Sequence, residues 1–131
     1  MMRLYIGGCF QGKSDYVQEL WNREHPQKSV RVSDGADVSL DQPGQIGILN
    51  HYHLLVRRLL EQKQDAWAYT RRLLEQNPDI WIICDEVGMG IVPEDARERR
   101  YRETVGRCCC ALAKEAGQVE RILCGRGLRI K

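Results

Sequence analysis

No apolar run in this sequence approaches the roughly 20 residues that a membrane-spanning helix needs, which excludes a span of that kind. The first residues offer only Leu4-Tyr5-Ile6 before Gly7-Gly8, too short for the apolar core of a signal peptide, so a cytoplasmic location is expected. Charge of one sign is also missing. Twenty Lys+Arg against 18 Asp+Glu leave +2, and bulk electrostatics gives no reason to expect nucleic acid as a partner. There is no C-x-x-C pair. Cys108, Cys109 and Cys110 are consecutive, so on a helix they point three ways and close no tetrahedral zinc site. Cys9, Cys84 and Cys124 fall in or beside predicted strands, where cysteine acts as a small apolar residue. Reduced and mostly buried thiols are the expectation. Internal repeats and low-complexity tracts are absent too.

What is present is the ordinary mixture of a globular chain. Its 131 residues, 43% hydrophobic and 29% charged, suit one domain, residues 1–131, with a core of its own. Residues 2–6 read as a strand that runs into a glycine-rich turn. A helix is predicted over about 14–23, with Tyr16, Val17, Leu20 and Trp21 on one stripe, ended by His25-Pro26. Residues 29–32 read as a second strand and 33–44, with Asp34-Gly35 and Pro43-Gly44, as a turn-rich loop. Helices follow over about 45–62 and 65–76, the second with Asp65 as N-cap. Residues 80–84, I-W-I-I-C, are a short continuous apolar run, the pattern of a strand buried on both faces. Pro93-Glu94-Asp95 opens a long helix that Gly117 closes, and residues 119–124 form the last clear strand. Strands that alternate with helices predict an α/β domain with a mostly parallel sheet.

Gly7-Gly8-Cys9-Phe10-Gln11-Gly12-Lys13-Ser14 matches G-x-x-x-x-G-K-[ST]. Glycines let the backbone curl until its N–H groups face a phosphate, and the helix that starts there adds its positive end. Lys13 then reaches the β- and γ-phosphates and Ser14 offers a hydroxyl to Mg²⁺. A phosphate loop needs an acid near it for the metal. Asp85, which follows the apolar strand, suits that role, and Glu86 suits the orientation or deprotonation of an attacking hydroxyl. His51 and His53 are further candidates. Two residues apart on a helix, they face nearly opposite sides, which argues against a shared metal. Arg97, Arg99, Arg100 and Arg102, interleaved with acids, read as a solvated helix face, with a phosphate contact across a subunit interface as the sharper alternative; Arg57-Arg58 and Arg71-Arg72 read as solvated faces.

The stretch Asp85-Glu86-Val87-Gly88-Met89-Gly90-Ile91-Val92-Pro93 resembles the N-E-V-G-x-G-I-V-P signature of the bifunctional adenosylcobinamide kinase/adenosylcobinamide-phosphate guanylyltransferases. Arg100-Tyr101-Arg102-Glu103, Gly106-Arg107 and the ending from Gly125 to Ile130-Lys131 are similar as well. The resemblance implies a RecA-like P-loop NTPase fold that uses GTP or ATP with Mg²⁺. It implies phosphorylation of the hydroxyl on the aminopropanol arm of adenosylcobinamide, then transfer of GMP to that phosphate through a guanylylated histidine. It also implies a corrinoid substrate and a homo-oligomer, a trimer in known members. Lys13, Ser14, Asp85 and Glu86 take the roles above. His53, with Arg57 four residues on, and His51 are the histidines available for guanylylation. Two departures stand out. Asp85 replaces the usual Asn, and the chain is shorter than typical members between Ser33 and Asp79. Typical members carry there the segment with the guanylylated histidine and a further strand ending in an acid. A nucleotide-binding regulator without chemistry, or a P-loop kinase for another small molecule, would share the same residues.

Overall fold

A computed structural model describes residues 1–87 and 94–131. In chain order the elements are β1 (Arg3–Gly7), α1 (Lys13–Glu24), β2 (Val32–Asp34), β3 (Ile48–Asn50), α2 (Tyr52–Glu61), α3 (Ala66–Gln76), β4 (Trp81–Asp85), α4 (Ala96–Glu115), β5 (Gln118–Leu123) and β6 (Arg126–Arg129). They build an α/β architecture on one six-stranded sheet of order β2-β3-β4-β1-β5-β6. Every neighbouring pair is parallel except β5 and β6.

The apolar run over 80–84 behaves as its composition requires. Ile82 and Cys84 pack into the core under α2, α3 and α4, while Trp81 and Ile83 pack into the opposite core with Val17 of α1. β1 alternates in the same way, Leu4 to one side and Tyr5 to the other. The sheet is thus sandwiched between helices, and the C-terminal ends of β1, β4, β3 and β2 lie along one edge. Ligands of open parallel sheets bind outside that edge.

Asp65 caps α3 as expected, its carboxylate accepting the Ala68 N–H at 3.0 Å. Asp95 caps α4, accepting the Arg97 N–H at 2.7 Å. Pro93 and the rest of the signature from Gly88 onward lie outside the described residues.

Four expectations are corrected. The helix expected over 45–62 is a strand followed by a shorter helix. Ile48 and Leu49 pack into opposite cores, which only an extended backbone allows. His51 then adopts a left-handed conformation, φ 53°, that breaks any helix running through it. The second strand lies at Val32–Asp34 rather than 29–32, because its sole partner is the three-residue β3. A sixth strand, β6, follows β5 through a two-residue turn, with Cys124 and Gly125 at φ 49° and 73°. The thiols are free, but Cys9, Cys110 and Cys124 are exposed. They sit in the β1–α1 loop, on the outer side of α4 and in the hairpin turn, where they face solvent. Among the described residues no helix is long and apolar enough to cross a membrane.

Candidate functional site

The loop between β1 and α1 has the backbone its glycines imply. A Cβ on Gly7 would lie 2.5 Å from the Ile122 carbonyl oxygen, so close packing of β1 on β5 demands glycine there. Gly12 is left-handed, φ 77°, and turns the chain into α1. Phe10 is also left-handed and its side chain is 98% exposed. The hairpin turn braces the loop from outside. Cys124 N–H donates to the Gln11 side-chain carbonyl at 2.7 Å, and Gly125 N–H to the Gln11 backbone carbonyl at 2.8 Å. Cys9 is exposed beside Gly8. Ser14 accepts a hydrogen bond from Gln18 at 2.8 Å. A hydroxyl oxygen so bonded keeps a lone pair for a hard cation.

Lys13 is 8% exposed and its ammonium turns back over the loop. It donates to the Gly8 carbonyl at 2.7 Å and pairs with Asp85 Oδ1 at 2.8 Å. Parallel pairing makes this contact: β1 and β4 end level, with Gly7 opposite Asp85. The second Asp85 oxygen faces His53 Nε2 at 3.4 Å, while His53 Nδ1 accepts the Asp85 backbone N–H at 3.2 Å. Nδ1 therefore carries no proton and Nε2 does. Burial pushes the His53 pKa down, against the pull of Asp85. Tyr101 of α4 donates to the His53 carbonyl at 3.0 Å and fixes the start of α2.

The two histidines are not on opposite sides. Because His51 is left-handed and outside the helix, its ring meets that of His53 edge to face at 5.7 Å. His51 Nδ1 in turn bonds Asp34 Oδ2 at 2.9 Å. Burial pushes the Asp34 carboxyl up, but the Ala36 N–H and His51 outweigh this and hold it below its ordinary value. Lys13, Asp85, His53, His51 and Asp34 thus form one polar row along the strand ends.

Glu86 is turned elsewhere. Both its oxygens accept from Arg121 of β5, at 2.7 and 3.1 Å. Asp34, Arg121 and Arg58 were not expected in the neighbourhood. Asp34-Gly35 carries a turn signal that masks the carboxylate's role. Arg58, read as a solvated side chain, donates to the carbonyls of Gly35 and Val38 and ties down the chain after β2. Arg57, read likewise, stacks on Tyr101 at 3.9 Å and pairs with Glu98 of α4.

In the stretch where the chain is shorter than typical members stands β3, which ends in Asn50; the carboxylates at this edge, Asp34 and Asp85, end the strands on either side of it. Residues 38–130, well over half of the chain, match the family described as cobinamide kinase / cobinamide phosphate guanyltransferase.

The chain belongs to this family.

It is 42% identical over 50 residues to the bifunctional adenosylcobalamin biosynthesis protein CobU of Escherichia coli strain K12, and to the protein of that name from Salmonella typhimurium strain LT2. Each match covers 38% of this chain and 28% of the relative. The family match begins beyond the phosphate loop, so the loop rests on its own motif and geometry.

Oxygen donors at Ser14 and Asp85 suit Mg²⁺, a cation that takes oxygen ligands and keeps several of its waters. Among the described residues no group of three or more His, Cys, Asp or Glu side chains could hold a metal unaided.

Proposed function

We propose that residues 1–131 form a single RecA-like P-loop nucleotide-binding domain, and that it is a kinase for the hydroxyl arm of a cobinamide. ATP or GTP is the phosphoryl donor. The observation that carries this reading is the convergence of Lys13 and Asp85 at 2.8 Å, at the ends of two adjacent parallel strands, beside a loop of phosphate-binding sequence.

Lys13 leaves Asp85 to hold the β- and γ-phosphates, and the backbone N–H groups of Gly8, Cys9, Phe10, Gln11 and Gly12 surround them. Ser14 and Asp85 hold Mg²⁺, which supplies neutralisation of the charge that spreads over the transferred phosphoryl group. His53 keeps the Asp85 carboxylate aimed at this site. Gln11, braced by the hairpin, keeps the loop shaped before the nucleotide arrives. Catalysis in this arrangement is positioning and charge neutralisation.

Guanylyl transfer is the second activity in the family's description. His53 has both ring nitrogens engaged by Asp85, and we assign it a positioning role. The kinase step is the one we propose for this chain, and His51, the other histidine available for guanylylation, is left to the test below.

The test is a mass spectrum of adenosylcobinamide after incubation with the protein, Mg²⁺ and ATP or GTP, with Lys13→Ala in parallel. A corrinoid heavier by one phosphate, lost in Lys13→Ala, is expected. A product carrying GDP would restore guanylyl transfer to the chain. An unmodified corrinoid, in a sample that binds nucleotide, would overturn the kinase reading in favour of a regulator or a kinase with another substrate.

A further inference from the structure

Asp34 and His51 are brought together with more structural provision than a surface ion pair needs. His51 holds a left-handed backbone, which costs a non-glycine residue free energy and persists only where the surroundings enforce it. Asn50 contributes by accepting the His51 N–H on its side chain at 2.9 Å. Gly35 lies so close that a Cβ there would stand 2.2 Å from the His51 carbonyl oxygen. The Gly35 N–H donates to the Asn50 carbonyl at 2.7 Å, and Arg58 holds the Gly35 carbonyl from the other side. The Asp34 carboxylate is oriented as well, since its Oδ1 accepts the Ala36 N–H at 2.8 Å while Oδ2 faces His51.

The consequence is a defined imidazole. With Nδ1 donating to Asp34, the proton of neutral His51 sits on Nδ1 and the lone pair on Nε2. Among the described residues nothing bonds Nε2, and the side chain is 41% exposed. His53, its neighbour, has neither property. The dyad stands beyond Lys13 by the width of one carboxylate and one imidazole, on the open edge of the sheet. A phosphoryl acceptor must approach the γ-phosphate from outside the loop, and this edge offers that approach. Glu86, the other group suited to the acceptor hydroxyl, has both oxygens on Arg121.

We propose that His51, held by Asp34, is the base that takes the proton from the attacking hydroxyl. This rests on the kinase reading. The hydroxyl oxygen forms its bond to the γ-phosphorus. The bond from that phosphorus to the bridging oxygen breaks, and its electron pair leaves with the nucleoside diphosphate. The hydroxyl proton passes to His51 Nε2, and Asp34, which stays ionised, stabilises the imidazolium. His51 then returns its proton to water. His51 is the catalytic residue, and Asp34 is a positioning residue.

Two measurements on the full chain test this. The first is a long-range ¹H–¹⁵N spectrum of the imidazoles, which reads the tautomer without any turnover. His51 is expected as the Nδ1–H form, with that preference lost in Asp34→Ala; an Nε2–H form in the wild type overturns the proposal. The second compares nucleotide hydrolysis to water and phosphorylation of adenosylcobinamide, with nucleotide Kd measured alongside. His51→Gln is expected to lower kcat by about 100-fold or more with Kd nearly unchanged. His51→Asn, whose side chain tolerates the left-handed backbone, replaces it where the Gln variant loses stability. Hydrolysis within about threefold of wild type in a folded variant overturns the proposal, as does a nucleotidyl adduct on His51. If the wild type hydrolyses nucleotide and leaves the corrinoid unmodified, the substrate reading fails while the hydrolysis comparison still decides His51.

Discussion

Asp85→Asn removes one negative charge from the least exposed part of the site and leaves the side chain's size unchanged. Its cost follows from the partners on each oxygen. One faces the Lys13 ammonium at 2.8 Å and the other faces His53 Nε2 at 3.4 Å. Both partners are donors, so an amide, with one donor and one acceptor, satisfies only one of them. His53 has no alternative tautomer to offer, because its Nδ1 already accepts the Asp85 N–H. Whichever way the amide turns, one contact becomes donor against donor. Turned either way, the amide keeps one contact and gives up the other together with the charge, so the weakened pairing with a Lys13 that is only 8% exposed sets the cost, about 2 kcal/mol. At about 2.1 cal/mol/K of unfolding entropy per residue, 131 residues convert this into a Tm lowered by about 7 °C. The assay is calorimetry of both proteins without nucleotide, at low and high salt. Since Lys13 and Asp85 are 8% and 20% exposed, salt screens the pair weakly and the difference should survive about 0.5 M NaCl. A drop below about 3 °C, or one that vanishes in salt, would refute the reasoning. So would a double-mutant cycle with Lys13→Met that gives no coupling.

Three further outcomes are expected. The His53 pKa is lowered in the folded chain, so its contribution to stability is complete above the unfolded value of 6.5 and is lost as pH falls through the lower folded value; Tm should decline on acidification below about 6.5, and this part of the decline should disappear in His53→Gln. Gly35→Ala forces a methyl group against the His51 carbonyl, so it should cost about 2–3 kcal/mol in urea unfolding and abolish the fixed His51 tautomer. A thiol reagent should modify Cys9, Cys110 and Cys124 quickly in the native protein and the buried Cys84 and Cys108 only on unfolding, which mass spectrometry of the labelled peptides reads directly.

The elements legible in the sequence were those with a strong local signature. The run at 80–84 is apolar at every position because both faces of β4 are covered, and the G-x-x-x-x-G-K-S spacing places the β1–α1 turn without any tertiary information. β3 was hidden because its three residues are too few to show alternation. Ile46, Leu49, Tyr52, Val56 and Leu59 also fall at helical intervals, so the periodicity ran through a strand, a left-handed residue and a helix as if they were one element. β6 is exposed at all four positions and leaves no apolar trace. At the site, the β1–α1 loop and the meeting of Lys13 with Asp85 were readable, since each residue lies in one short segment with its own pattern. The relation between His51 and His53 was not. It depends on the single positive φ at His51, which reverses the side that helical spacing assigns to its ring. Asp34 was hidden for a related reason, because an Asp before Gly is most simply a turn residue, and its second role appears only when β2 pairs with β3.

That pairing also bears on where this sheet edge keeps its charge. The resemblance leads one to expect a strand ending in an acid between Ser33 and Asp79, and Asn after the apolar strand. In this chain the strand before α2, β3, ends in Asn50 and the apolar strand, β4, ends in Asp85. β3 and β4 are neighbours in the sheet, so both strand ends open onto the same edge, beside Asp34 of β2. The positions are not equivalent, however. On β4 the carboxylate touches Lys13, and in the proposed kinase nucleotide binding would exchange that pair for a lysine–phosphate pair and a carboxylate–metal pair. On β3, one strand further from the phosphate loop, it would leave Lys13 without that partner. Asn50→Asp made in the Asp85→Asn chain should therefore recover part of the Mg²⁺-dependent nucleotide affinity that Asp85→Asn loses, while the lowered Tm stays low. Titration calorimetry with and without Mg²⁺ measures the first and scanning calorimetry the second. Recovery of Tm without recovery of affinity would mean that the carboxylate is needed here to hold Lys13 and not to hold the metal.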